Sequence, residues 1–429
     1  MTADEIVASF AGEVHRLVER VGQGECEGVG DLVSLVLPVV RSLGRALVAL
    51  LFDQLQRRQR RAPCASCGRL PQAHGERPRT IVTMLGEVRL GVRRYRCEHC
   101  GVEVGPGLAD SDLRGCCSPE VWRLVLELAA KLPYRSVEWF CGQVGLPLSD
   151  DLVEALVAQL GGGLSAVQRA GAQALASGRG TVARARTAER LYVLVDGRMV
   201  RVDGHWRELK VGLFFETDVA EPDARGQWPA VRPLGSYACV GSADEFLEGL
   251  FAEALRWGLW RAKEVVLLAD GAPWIWERLP QLVPVGVKTV QILDFYHAAE
   301  HVRGAVDAVL GPSGGRFLGR RLTEQLQAGE FEAVLRSLQQ LRDQARGEAR
   351  HTVHLTLGYL RRHRDRCQYF RRHWEGYYIG SGRVESVCKQ LGLRFKGCGM
   401  NWSADGLAAL LAVYNNVHSA EPLPWPAAA

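Results

Sequence analysis

The sequence lacks an uninterrupted apolar run long enough to cross a bilayer. Its greasiest stretch, residues 32–52, is broken by Pro38, Arg41 and Arg45, so it reads as a core helix rather than a span. The opening residues, Met1-Thr-Ala-Asp-Glu-Ile, lack the basic start of a secretory signal. No internal repeat is evident, which removes stacked-repeat architectures. A large charge of either sign is also missing. The net charge is +5, which permits nucleic-acid binding without requiring it. These absences predict a cytoplasmic protein with no membrane partner. In that reducing compartment the twelve cysteines are expected as metal ligands rather than disulfides.

What is present divides the 429 residues into segments. Residues 1–62 carry apolar positions at three- and four-residue spacing and read as helical. They end in Arg57, Arg58, Arg60 and Arg61, either a basic helix end or an arm for phosphates. Residues 63–104 open with Cys64-Ala-Ser-Cys67 and close with Cys97-Glu-His-Cys100, and two strand-like runs lie between them. Two Cys-x-x-Cys turns joined by a hairpin predict a zinc ribbon, with one structural Zn2+ on Cys64, Cys67, Cys97 and Cys100. Residues 105–165 read as a helical domain. In it, Ser136 to Val144, a glycine turn and a helix capped at Ser149 resemble a helix-turn-helix, although Asp150, Asp151 and Glu154 suit helix packing better than DNA reading. Residues 166–190 read as a connecting helix and linker.

Residues 191–420 form the expected catalytic domain. Leu191 to Val195, Arg207 to Glu216, Tyr237 to Val240, Val265 to Ala269 and Thr289 to Leu293 read as strands, with an amphipathic helix from Ala243 to Trp257. Three meandering strands, a helix, then strands alternating with helices is the order of a ribonuclease-H-like sheet, in which the first and fourth strands are neighbours. Asp196 and Asp270 end those two strands. Glu385 follows in Gly380-Ser-Gly-Arg-Val-Glu385, after a helical insertion over about residues 302–378. Three such carboxylates suit two Mg2+ or Mn2+ ions and phosphoryl transfer. Asp294, in Asp294-Phe-Tyr-His297, is the rival of Asp270 as second metal ligand. His297, Lys389, Arg394 and Lys396 are candidates to orient phosphate. Arg361, Arg362, Arg364, Arg371 and Arg372, interleaved with aromatics, are candidates for DNA contact. The expected architecture is therefore multidomain α/β: a helical N-terminus, a zinc ribbon, a helical domain and a ribonuclease-H-like core with a helical insertion.

The ordered set Asp196-Gly, Ala-Asp270-Gly-Ala-Pro-Trp-Ile-Trp, Asp294-Phe-Tyr-His-Ala-Ala-Glu-His, Gly-Arg-Val-Glu385-Ser-Val-Cys-Lys and Arg394-Phe-Lys-Gly-Cys-Gly-Met-Asn-Trp-Ser resembles the ISKra4-type insertion-sequence transposases over about residues 191–416. The resemblance implies a DDE transposase with Asp196, Asp270 and Glu385 as its metal-binding trio. It would cut transposon ends and join them to target through the freed 3′-hydroxyl. It also implies double-stranded DNA as partner, a homo-oligomer and association with the nucleoid. One departure is Tyr414-Asn-Asn, where an arginine-containing end would be expected. Two rivals remain open. One is a zinc-ribbon DNA-binding protein with an inactive, domesticated core. The other is a related nuclease that cuts without joining.

Overall fold

The computed structural model describes residues 2–58, 61–104, 116–177, 179, 188–219, 230–380, 391–397 and 399–425. It divides into two compact units, Met1–Leu160 with Trp425–Ala429, and Gly161–Pro424. Together they are mixed α/β.

In the first unit, α1 (Ala3–Gly22) begins at a capping box. The Thr2 hydroxyl accepts from the Glu5 N–H and the Glu5 carboxylate accepts from the Thr2 N–H. Helix α2 (Val29–Arg58) runs unbroken through Pro38. It lies on a hairpin of β1 (Gln72–Thr83) and β2 (Gly86–Arg96), extended by the short β3 (Glu103–Val104). Val48, Ala49 and Phe52 pack on Ile81, Val88 and Leu90. Gln56 is buried, donating to the Gly91 carbonyl and accepting from the Arg93 N–H. The expectation of a core helix over residues 32–52 is thus corrected. Only one side of α2 meets the narrow hairpin, and Val33, Val40, Leu47 and Leu51 are exposed.

Three helices follow, α3 (Pro119–Ala129), α4 (Tyr134–Gln143) and α5 (Asp150–Leu156). The turn between α4 and α5 uses Gly145 at φ +74°, and Ser149 caps α5 through the Leu152 N–H. Arg41 of α2 donates to the Val144 carbonyl, against that glycine.

The second unit opens with α6 (Gly162–Ala176), so much of the expected linker is a packed helix. Its sheet has five strands: β4 (Arg190–Val202), β5 (His205–Thr217), β6 (Arg232–Val240), β7 (Glu264–Ala269) and β8 (Lys288–Leu293), in the order β6-β5-β4-β7-β8. β4, β5 and β6 are antiparallel neighbours, while β7 runs parallel to both β4 and β8. The first and fourth strands of this sheet therefore lie side by side, as the strand order predicted.

Two strand readings need correction. β4 does not stop at Val195 but continues to Val202, because β5 pairs with it along its whole length through a turn at Asp203-Gly204, both at positive φ. β5 does not alternate, since it is buried on both faces from Leu209 onward. β6 is also longer than expected. Its Pro233 sits opposite Phe215 at a register shift, which an edge strand tolerates.

One face of the sheet (Leu191, Val193, Val195, Val265, Leu267) packs with α7 (Ala243–Arg256) and α8 (Pro273–Arg278) into the main core. After β8 the chain is helical: α9 (Phe295–Gln327), interrupted at Gly311 (φ 72°), then α10 (Phe331–Gln344), α11 (Gly347–Arg362) and α12 (Tyr369–Trp374). The last helix of the unit, α13 (Ala404–Val417), packs on α6 and β6.

Candidate functional site

The four cysteines converge. Their sulfurs lie within 4.8 Å of one another. Cys64 and Cys100 are 3.3 Å apart, Cys67 and Cys97 3.5 Å, and Cys67 and Cys100 3.6 Å. A tetrahedron with Zn–S bonds of about 2.3 Å has sulfur edges of about 3.8 Å, so the set is close to the size a zinc ion needs. Each pair sits on a tight turn. The Gly68 N–H donates to the Cys64 carbonyl and the Gly101 N–H to the Cys97 carbonyl, both glycines at φ +70°. The Cys100 backbone N–H lowers Cys97 to about 6, and contact with the Cys64 sulfur raises Cys100 to about 12. The cluster could hold one structural metal ion.

The acidic residues are assembled differently. In the parallel pairing of β4 with β7, Val195 is the partner of Ala269. Asp196 and Asp270 are therefore the next residues on adjacent strands. By the two-residue period they share the face of Tyr192, Leu194, Val266 and Leu268, opposite the α7–α8 core. Asp196 lies inside the continuous strand β4 and is held by its chain neighbours. Its carboxylate accepts from the Gly197 N–H at 2.8 Å and lies 3.4 Å from the Arg198 guanidinium. Asp270 accepts from the Ala272 N–H at 2.9 Å, and its carbonyl accepts from the Trp276 indole. Burial pushes the Asp270 carboxyl above its ordinary range. The charges of Asp196 and Glu208 add to the rise, while the Ala272 N–H and His297 oppose it.

Neither glycine after these aspartates is a positive-φ turn residue. A Cβ on Gly271 would lie 2.0 Å from Cε2 of Tyr359, and one on Gly197 would lie 2.5 Å from Oε1 of Glu208. Both make room for a side chain from another element. Around Gly271, Tyr359 stacks on His301 at 4.1 Å and packs against the buried His363, so the α11 end of the helical insertion closes on the Asp270 loop.

Asp294 has a defined structural job. It is buried and caps α9, accepting from the Tyr296 and His297 N–H groups, and its own N–H donates to the Ala269 carbonyl. It thereby ties β8 and α9 to the strand that carries Asp270, and His297 follows one turn away.

Glu385 and Lys389 lie outside the described residues. The residues flanking residues 381–390 are described. On one side the Phe295 N–H donates to the Ile379 carbonyl and the Tyr378 N–H to the Tyr192 hydroxyl. A cluster of buried Arg190, Glu264 and Tyr377 with the exposed Lys288 anchors this return. Glu264 accepts from Arg190 and Tyr377 and pairs with Lys288, while Arg190 lies 3.9 Å above the Tyr377 ring. Burial opposes ionisation of Glu264, but Lys288, Tyr377 and Arg190 hold its pKa below the ordinary value. On the other side Gly392 approaches Arg198, and Trp402 bridges to Val202 at the end of β4.

The remaining candidates are scattered. Arg394 is buried, with its guanidinium near Phe395 and Trp402, whereas Lys396 is exposed beside Trp206. Arg361 and Arg362 are exposed at the end of α11. Arg364 pairs with Glu332, and Arg371 and Arg372 share Glu375. In the segment Tyr414-Asn-Asn, Asn415 donates to the Ala238 carbonyl, and Asn416 exchanges hydrogen bonds with Leu423. These amides satisfy buried backbone groups, a packing reason for the departure from an arginine.

Sequence reasoning missed the Arg190–Glu264–Lys288–Tyr377 cluster and the Tyr359–His363 contact. Charged residues at strand starts and aromatics within a helix give no local sign that they will meet. No family model matches the chain, and no curated protein matches it.

Proposed function

We propose that the chain is a DNA transposase of an insertion sequence, cutting element ends and transferring strands by DDE chemistry. One observation carries this reading: Asp196 and Asp270 follow a register-paired couple on adjacent parallel strands and share one sheet face. Burial is the main cause of the raised Asp270 pKa and the neighbouring Asp196 carboxylate adds to it, so a cation held between the two would offset both. Divalent cations held there would supply Lewis-acid activation of the attacking oxygen and charge neutralisation at the leaving one. Asp196 and Asp270 would be two of the ligands, with Glu385 supplied by the segment between Ile379 and Leu391. Asp294 supports the site as a cap, with His297 facing Asp270 from the first turn of α9. Arg361 and Arg362 are exposed candidates for phosphate contact, and the four-cysteine cluster with its hairpin reads as a zinc ribbon serving DNA binding.

The test is magnesium-dependent cleavage and joining of the element's own end DNA by wild type and by Asp196→Asn, Asp270→Asn, Asp294→Asn and Glu385→Gln. The reading expects the Asp196, Asp270 and Glu385 variants to lose both steps while retaining DNA binding. Cleavage without joining in wild type would favour the nuclease alternative. Binding without cleavage, unchanged in every variant, would favour the inactive core.

A further inference from the structure

Helices α1 and α2 carry apolar surface that the hairpin does not use. Thirteen of their Val and Leu side chains are 39–76% exposed. Together they show roughly 1,000 Å² of apolar surface, against about 800 Å² per partner in a standard stable interface and a few hundred in an ordinary monomer patch. The exposed residues are ordered. Val7, Val14 and Val21 recur every seven residues along α1, and Val33, Val40 and Leu47 do so along α2. A seven-residue apolar period is the seam of helix-on-helix packing, and it selects a helical partner of the same period.

Helix α2 is also long and apolar enough to cross a membrane. Its other face argues against lipid. Arg41 donates to the Val144 carbonyl and Arg45 to the Leu85 carbonyl, Asp53 pairs with Arg93, and Gln56 bonds β2 at two points. Those polar anchors run from Arg41 to Gln56, the second half of the helix, and tie it to the α4–α5 turn and to a hairpin ending in four cysteines. A helix whose second half is held this way along one side cannot be ringed by acyl chains over its full length.

We propose that the apolar face of the α1–α2 pair is a homodimer interface, covered by the same face of a second copy in a four-helix arrangement. The chain itself supplies the matching period, and the exposed area suffices. The proposal does not depend on the transposase reading.

The test uses the full chain at tens of micromolar, with mass from light scattering, bound metal per chain, and flotation with vesicles of neutral and anionic lipid. The wild type is expected at twice its 47.3 kDa mass without floating. The triple variant Val33→Glu, Val40→Glu, Leu47→Glu is expected to be a monomer that keeps its metal. Should that variant lose its metal and misfold, the triple isoleucine variant at the same positions decides, with a tighter dimer expected and an unchanged or weaker one counting against the interface. A monomeric wild type, a glutamate variant that remains dimeric, or vesicle binding abolished by the glutamates would each overturn the proposal.

Discussion

The two candidate metal sites are built in opposite ways. The cysteine cluster is made of two four-residue turns, each closed by its own backbone hydrogen bonds, brought together by one antiparallel hairpin. The carboxylate site joins residues 74 positions apart through a parallel register, and a helical insertion closes over it. The first is local and self-contained, so spacing alone exposes it. The second exists only once the sheet is assembled, and its parts have other duties, such as the capping by Asp294.

This contrast can be broken experimentally. The largest effect is expected from Cys64→Ser or Cys97→Ser. Each should abolish stoichiometric zinc binding and lower the stability of the first unit by several kcal/mol, on the order of a small unit's whole stability. Elemental analysis with calorimetry would detect this, and the transition of the sheet unit should stay in place. Loss of both transitions together would mean that the cluster is not self-contained.

Next in size, on the proposed function, Asp196→Asn and Asp270→Asn should each reduce end cleavage by roughly a thousandfold, about 4 kcal/mol of barrier. Stability should move the other way for Asp270. Its folded-state pKa is raised, so its charge opposes folding at neutral pH, and the asparagine variant should melt at or slightly above wild type. A clear drop in melting temperature would make Asp270 a structural residue.

Gly271→Ala should cost about 1–3 kcal/mol, because its methyl would collide with Tyr359. Combining it with Tyr359→Leu should recover part of the loss in a double-mutant cycle. Additive costs would mean that the insertion does not press on the Asp270 loop as described.

Asp294→Ala should cost about 1 kcal/mol through loss of the α9 cap, and Asp294→Asn less, since asparagine caps as well. Denaturant titration separates the two. Equal loss of activity in both variants without loss of stability would assign Asp294 to metal instead.

The smallest effect is a pH slope. Burial and the nearby Arg366 lower His363 to about 4, below the unfolded value of about 6.5. Between those values the unfolded chain binds the extra proton, so stability should fall as pH drops from 6.5 toward 4. His363→Phe should flatten that part of the profile, and an unchanged slope would remove His363 from the account.

Particular elements show how much was legible. The Cys-x-x-Cys pairs, the hairpin and the five strands of the second unit announce themselves through spacing and apolar runs. Strand ends were less visible. The extension of β4 to Val202 depends on pairing with β5 rather than on its own apolar run, and Pro233 and Gly235 disguise β6. The reading of α2 as core failed because composition reports that a helix is apolar, not how many of its sides find a partner.

The sequence by itself determined the cysteine cluster and the position of Asp196 and Asp270 at the ends of adjacent apolar runs, because turns and strand periods are set by neighbours along the chain. Tertiary structure alone decided that those two carboxylates share a face, that Gly271 must stay small for Tyr359, and that Glu264 gathers Arg190, Lys288 and Tyr377. The physical reason is the same in each case. Register, close approach and buried charge pairing are properties of surfaces meeting across the fold, and no residue carries them before its partners arrive.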